Sequence, residues 1–184
     1  EIIDVICNHC APFDWADISP TIFGAVFEST LNPDTRRKGG MHYTSVQNIH
    51  KVIDPLFMDE LENEYRKIRA IKTAKQRHEK LLIFQEKLGS LTFLDPACGS
   101  GNFLTETYLS LRRLENKTIL EELLTGKMIG QTFLNFEHEE FNPIKVHINQ
   151  FYGIEINDFA VTVAKNALWI AQSQMMTDTE KILR

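Results

Sequence analysis

The sequence predicts an α/β fold of the doubly wound type, entered through a helical lead-in. Two short apolar segments are the first observation. Leu91-Thr92-Phe93-Leu94 runs into Asp95, and Phe151-Tyr152-Gly153-Ile154-Glu155-Ile156 carries Glu155 near its end. Each is followed by apolar residues at helical spacing, the second observation. The third is the turn Asp95-Pro96-Ala97-Cys98-Gly99-Ser100-Gly101-Asn102, which joins the first strand to its helix through two glycines. Strand, turn and helix repeated in this way build a parallel sheet, and such sheets bind ligands at the carboxyl ends of their strands.

Residues 1–19 form an irregular start. Ile18-Ser19-Pro20-Thr21 opens a helix, with Ser19 as N-cap and Pro20 in the first helical position. Ile22, Phe23, Val26 and Phe27 give that helix an apolar face, and it ends near Leu31. Asn32-Pro33-Asp34 is a turn, and Arg36-Arg37-Lys38-Gly39-Gly40 a basic loop. Thr44-Ser45-Val46-Gln47 has the spacing of a capping box and starts a second helix. Its stripe is Ile49, Val52, Ile53, Leu56 and Phe57, and Pro55 is expected to kink or divide it.

From Met58 to Leu88 the pattern stays helical and highly charged. Arg66, Lys67, Arg69, Lys72, Lys75, Arg77 and Lys80 make a basic stretch. It reads as a solvated helical face or as a contact to a DNA backbone. The first strand and the glycine turn follow. The helix from Asn102 carries Phe103, Leu104, Leu109, Leu111 and Leu114. Residues 115–149 read as a helical and loop insertion. After the second strand, Asp158 is expected to cap a last helix marked by Phe159, Val161, Ala164, Leu168 and Ile170.

Composition narrows the function classes. The 184 residues suffice for one domain with a sizeable core, and a hydrophobic fraction of 43% is ordinary for a globular protein. No apolar run approaches the roughly 20 residues of a membrane span, and the start lacks the basic and apolar parts of a leader. The first residue is Glu1 rather than Met, so a longer parent chain is expected. A net charge of −5 argues against a free-standing nucleic-acid binder. Three cysteines do not make a disulfide framework, and the expected compartment is the cytoplasm. Cys7-Asn8-His9-Cys10 has the spacing of half a zinc site without a second half, so no metal is expected.

The chemistry of the glycine turn selects among nucleotide cofactors. It has no Gly-Lys-Ser/Thr, so it is not a phosphate-cradling loop. Leu104 stands where a dinucleotide fingerprint has its third glycine. Asp95 places a carboxylate where a pyrophosphate would be repelled. S-adenosylmethionine (SAM) has no phosphate, and its sulfonium and α-amino groups are cations, so an acid here suits it. Glu155 at the second strand end suits the two ribose hydroxyls. Cys98 lies inside the turn, where its role is to be small rather than nucleophilic.

These segments resemble motifs of a known family. Asp95 to Leu104 is similar to motif I of the amino-group DNA methyltransferases, and Tyr152-Gly153-Ile154-Glu155-Ile156 to their motif II. Arg37-Lys38-Gly39-Gly40-Met41-His42-Tyr43-Thr44-Ser45 resembles motif X of the class in which that motif precedes motif I. Ile18-Ser19-Pro20-Thr21-Ile22-Phe23-Gly24-Ala25-Val26-Phe27-Glu28 is similar to the MmeI-like branch, whose large bacterial members join a nuclease, an adenine methyltransferase and a recognition domain. The resemblance spans most of residues 18–174, and 58–90 and 115–149 carry no motif.

The resemblance implies a partial class I SAM-dependent methyltransferase fold of Rossmann-like type. Residues 1–90 would form the lead-in with the motif X-like segment, and 91–184 the first part of the SAM-binding domain. Asp95, Ala97, Gly99 and Gly101 would shape the methionine side of the pocket, with Asp95 on the α-amino group. Asn102 and Phe103 would sit under the cofactor. Glu155 would hold the ribose, and Ile156 would pack on the adenine ring. His42, Tyr43, Thr44 and Ser45 would close over the methionine end.

The implied reaction is methylation of the N6 amine of adenine in duplex DNA, within a restriction-modification system. The sequence contains no Asn/Asp-Pro-Pro-Tyr/Phe, the loop that grips the target amine in this family. The chain is therefore expected to bind SAM and not to methylate DNA alone. An RNA or protein substrate is one alternative. A non-catalytic nucleotide- or DNA-binding module using the basic helix around Lys72 is another. The expected partner is duplex DNA in the full-length protein, with no membrane, and the sequence assigns no oligomeric state. A first strand lacking one sheet neighbour would be a route to self-association.

Overall fold

The structure, a computed structural model, describes residues 2–5, 7–8, 18–30, 44–129 and 143–184. The turn at 32–34, the basic loop at 36–40, and His42 and Tyr43 lie outside the described residues. Helix α1 (Ile2–Val5) is a single turn inside the segment expected to be irregular.

Helix α2 (Ile22–Thr30) starts two residues later than the sequence suggested. Pro20 and Thr21 form a turn instead, in which the Ile22 N–H donates to the Ser19 carbonyl at 3.0 Å. The Ser19 hydroxyl is engaged with that of Thr21 at 2.8 Å, so it caps no helical N–H. The expected apolar face also needs correction, because Ile22 and Val26 are exposed while Thr21 and Gly24 are buried.

Helix α3 (Val46–Ile53) is capped by Ser45, whose hydroxyl accepts from the Asn48 N–H at 3.4 Å. The cap falls one residue after Thr44, and Gln47 is exposed. Ile49 and Ile53 are fully buried, whereas Val52 and Leu56 face outward. Pro55 neither breaks nor ends the helix. It sits in one π-helical turn, Asp54–Met58, closed by the Asp59 N–H on the Asp54 carbonyl. Proline has no N–H and crowds the carbonyl four residues back, and a wider turn relieves both defects. Helices α4 (Asp59–Arg69) and α5 (Ala74–Ser90) follow, separated at 70–73.

Strand β1 (Phe93–Asp95) and strand β2 (Phe151–Gly153) pair in parallel, with Phe93 opposite Phe151 and Asp95 opposite Gly153. The connection between them includes α6 (Asn102–Met128), a 27-residue helix. The helical part of the segment at 115–149 is a direct continuation of α6, which runs unbroken to Met128. Its hydrophobic period fails for a physical reason: buried polar side chains pair with each other. Arg112 contacts Glu115, and its Nη2 donates to Thr179 Oγ1 at 2.6 Å. Thr179 in turn donates to Asn116 Oδ1 at 2.7 Å. Glu115 also accepts the backbone N–H groups of Lys145 and Val146, at 2.6 and 3.0 Å, fixing the chain that leads to β2.

Gln150 ties the two strand entrances together, donating to the Leu88 and Leu91 carbonyls at 3.0 and 2.7 Å. Helix α7 (Asp158–Leu183) is capped by Asn157, whose side chain accepts from the Phe159 and Ala160 N–H groups. Asp158 is the first helical residue rather than the cap. The inward face of α7 is Ala160, Ala164, Ala167, Leu168, Ala171 and Met175, and small residues let it approach α6 closely.

One hydrophobic core holds these parts. It runs from Ile49 and Ile53 through Tyr65, Phe84 and Leu88 to Leu104, Leu111, Phe151 and Met175. Phe93 stacks on Phe151 with ring centroids 5.2 Å apart, and Phe57 meets Phe93 at 5.0 Å. The opposite sheet face is bare, with Leu94 and Tyr152 more than half exposed. Among the described residues the α/β expectation takes the form of one β–α–β unit with two parallel strands.

Candidate cofactor site

The two strand ends are laced together past their last ladder residues. The Ile154 N–H donates to the Asp95 carbonyl at 2.9 Å, and the Cys98 N–H donates to the Ile154 carbonyl at 3.0 Å. The turn after β1 is thereby carried alongside the chain leaving β2. Asp95 Oδ1 accepts the Ala97 N–H at 3.0 Å, which sets the direction of that turn.

Glu155 has a role that its strand-end position did not reveal. Its Oε2 accepts the Gly99 N–H at 3.0 Å, and its Oε1 accepts those of Ile156 and Asn157 at 2.8 Å each. One carboxylate therefore holds the glycine turn and caps the approach to α7. The partners are 56 residues apart in sequence, so no local spacing signals them.

Each glycine meets a different constraint. Gly99 and Gly101 have φ of +53° and +77°, in the left-handed region that favours glycine. A Cβ on Gly101 would lie 2.7 Å from the Ala164 Cβ, so this residue also lets α7 close on the turn. A Cβ on Gly99 would meet nothing within 4 Å. A Cβ on Gly153 would lie 2.6 Å from Cys98 Sγ. Burial pushes the Cys98 thiol above its usual range, and the charges of Asp95 and Glu155 push it further, which keeps it protonated at neutral pH.

The structure thus assembles Asp95, Ala97, Gly99, Gly101, Asn102, Phe103, Glu155 and Ile156 at the carboxyl end of the sheet. Asn102 is buried, Phe103 half-buried and Ile156 almost wholly exposed. Thr44 and Ser45 are half-buried at the start of α3, and no hydrogen bond among the described residues joins them to the glycine turn.

Two features beyond the expected site emerge. His50 lies between two carboxylates, with Nδ1 2.8 Å from Asp54 and Nε2 3.2 Å from Glu106. Arg113 donates to the same Glu106 oxygen at 3.1 Å. The cluster borders a cavity of about 380 Å³ between the starts of α2 and α3 and the flanks of α6 and α7. The His50–Asp54 spacing is visible in sequence, whereas Glu106 is not foreseeable from it. The second feature is Gly24 of α2, whose Cβ would lie 2.5 Å from both Ser100 Oγ and Asn102 Oδ1.

The basic stretch divides by residue type. Arg66 pairs with Glu62 at 3.0 Å, Arg69 with Glu121 at 3.2 Å, and Arg77 with Glu121 at 3.6 Å. Lys67, Lys72, Lys75 and Lys80 are exposed, with no ion-pair partner among the described residues. Arg77 also donates to Thr125 at 3.1 Å, which puts this end of α5 beside the far end of α6. A helix of 27 residues is roughly 40 Å long, so the stretch stands well away from the glycine turn. Among the described residues, no group of three or more His, Cys, Asp or Glu could hold a metal ion. Cys7 is exposed, and His9 and Cys10 lie outside the described residues.

Comparison with known proteins gives consistent matches. Residues 71–183 match the family described as MmeI, DNA-methyltransferase domain. DNA methyltransferase A of Bacillus subtilis is 44% identical over 164 residues, covering 88% of this chain and 16% of that protein. A putative type II restriction enzyme and methyltransferase of Methanocaldococcus jannaschii is 28% identical over 196 residues, covering 91% of this chain and 15% of its own length. Among solved structures, the type IIL restriction-modification enzyme MmeI in complex with DNA aligns with a TM-score of 0.75 and 44% identity. That alignment covers 92% of this chain and 21% of the MmeI chain. The chain thus spans a fifth or less of the curated relatives' lengths, at 16% and 15%.

Proposed function

Because the chain belongs to the MmeI DNA-methyltransferase family, we propose that it forms the SAM-binding part of a DNA adenine-N6 methyltransferase of a restriction-modification system. When bound, SAM supplies an electrophilic methyl group, which the whole protein passes to the N6 amine of an adenine in duplex DNA. The chain itself binds the cofactor and does not methylate, since it has no Asn/Asp-Pro-Pro-Tyr/Phe loop. The division of roles falls near residue 90, with the lead-in on one side and the cofactor strands on the other. The proposed setting is the cytoplasm, and no described helix is long and apolar enough to cross a membrane.

The observation that carries this reading is the Gly99–Glu155 hydrogen bond of 3.0 Å, which draws both strand-end acids around one turn. The residues fit the ligand. A carboxylate offers about four lone-pair sites. Glu155 uses three on backbone N–H groups and Asp95 uses one, so both keep acceptor capacity. No lysine or arginine stands in 95–102 to neutralise them. Asp95 holds the cationic α-amino group, and Glu155 holds the ribose through the one acceptor site its backbone contacts leave. Exposed Ile156 offers its side chain to the adenine ring. Gly99, Gly101 and Ala97 keep the floor open, and Asn102 and Phe103 lie beneath it. His42, Tyr43, Thr44 and Ser45 close the methionine end with hydroxyl and N–H donors.

Calorimetric titration of SAM tests the proposal. Asp95→Asn and Glu155→Gln are each expected to weaken binding by about 10- to 100-fold, the range for one charged hydrogen bond. Circular dichroism should show the fold retained. An absence of SAM binding by the wild-type chain, or unchanged affinity in both variants, would overturn the proposal.

A further inference from the structure

We infer that Gly24, on the lead-in helix α2, is a positioning residue for the cofactor turn. Resting on the SAM-binding reading above, the inference adds two residues to the site, Ser100 as a further polar group facing the cofactor and Gly24 as its support. By having no side chain, Gly24 lets the backbone of α2 press against Ser100 and Asn102 and hold their polar groups at the edge of the turn.

A Cβ on Gly24 would lie 2.5 Å from Ser100 Oγ, 2.5 Å from Asn102 Oδ1 and 3.0 Å from Asn102 Nδ2. Contacts that short force the neighbours to move. Gly24 lies in the first turn of a nine-residue helix, where glycine is less favourable than alanine. Its φ is not in the left-handed region, so conformation does not require glycine here. The close approach does.

Helix α2 is held in this place independently of that contact. Gln174 of α7 donates to the Ile18 carbonyl at 2.8 Å, and Thr21 is buried to 1% exposure. The support is therefore fixed at its base, and its load falls on Ser100 and Asn102. Both side chains sit where α6 begins, beside its first unpaired N–H groups. Neither makes a hydrogen bond to another described residue, so each can donate to or accept from a ligand. Gly24 lies outside residues 71–183, the span matched by the family. A helix upstream of that span thus shapes the cofactor turn.

A double-mutant cycle on the 184-residue chain separates this role from a general effect on folding. SAM affinity is measured for wild type, Gly24→Ala, Ser100→Ala/Asn102→Ala, and the three changes combined. Gly24→Ala is expected to weaken SAM binding on the order of tenfold in the wild-type background and less than twofold once both crowded side chains are removed. The ligand-free melting temperature, taken through the same cycle, should show the same loss of effect. An equal effect of Gly24→Ala in both backgrounds means that α2 acts through the fold at large, and overturns the inference. Wild-type affinity in Gly24→Ala also overturns it, while binding lost in Asp95→Asn and Glu155→Gln would leave the proposed function standing. A wild-type chain that binds no SAM removes both.

Discussion

At the scale of single residues, the position of Asp95 and Glu155 at the strand ends was legible because each closes a short apolar run. Their interplay was not legible. Glu155 reaches the Gly99 N–H across 56 residues, and sequence spacing holds no trace of such a distance. Gly24 left a faint signal, as a glycine inside a helical pattern needs a packing reason. His50 left less, because half of its environment comes from Glu106 on another helix. Its pKa is raised from the ordinary value of 6.5, first by the hydrogen bond to Asp54, against an opposing effect of burial, and then by Glu106. A raised folded-state pKa stabilises the fold fully below about pH 6.5, and that contribution disappears as pH rises through the folded value. His50→Gln should therefore lower the melting temperature most near pH 6, on the order of 2 °C because the ring is partly exposed. The gap should narrow toward pH 9 in thermal melts. A gap that widens with pH would contradict this sign.

At the scale of elements, α6 shows where pattern reading fails and why. Its first half was predicted from leucines at helical spacing. Beyond Leu111 that period is interrupted by Arg112, Glu115, Asn116 and Thr118, which are buried polar residues. Such residues leave no apolar stripe in sequence and behave as core only when their partners arrive from α7 and the segment before β2. Removing one partner leaves the other charged and buried. Glu115→Ala or Arg112→Ala should each cost about 3–5 kcal/mol in urea unfolding, and the matched pair Arg112→Met/Glu115→Leu distinctly less. A paired loss equal to the sum of the two single losses would show the ion pair to be uncoupled. The π-helical turn at Asp54–Met58 is the contrasting case, since Pro55 announced a distortion and only its form was undetermined.

At the scale of the whole molecule, the sheet shows one face to the core and one to solvent. Leu94, Tyr152, Ile154, Ile156 and Phe159 are all more than half exposed, and no described strand pairs with the free edge of β1. Sedimentation velocity should show concentration-dependent association of this chain, reduced by Leu94→Lys, which places a charge on the open face. A sedimentation coefficient that stays constant with concentration would rule out such pairing. The α/β class and the order of strands and helices were legible because each strand is flanked by turn signals. The packing of the lead-in against them was not, because it depends on side chains up to 156 residues apart, as with Gln174 and the Ile18 carbonyl. That continuity of the core, from Ile49 to Met175, sets the size of any transplant between relatives. A chimaera cut at the edges of the recognisable methylase motifs would sever Ile49, Ile53 and Tyr65 from the partners that shaped them. The smallest unit that could be exchanged with its packing intact is thus larger than the motifs, and the lead-in would have to travel with it.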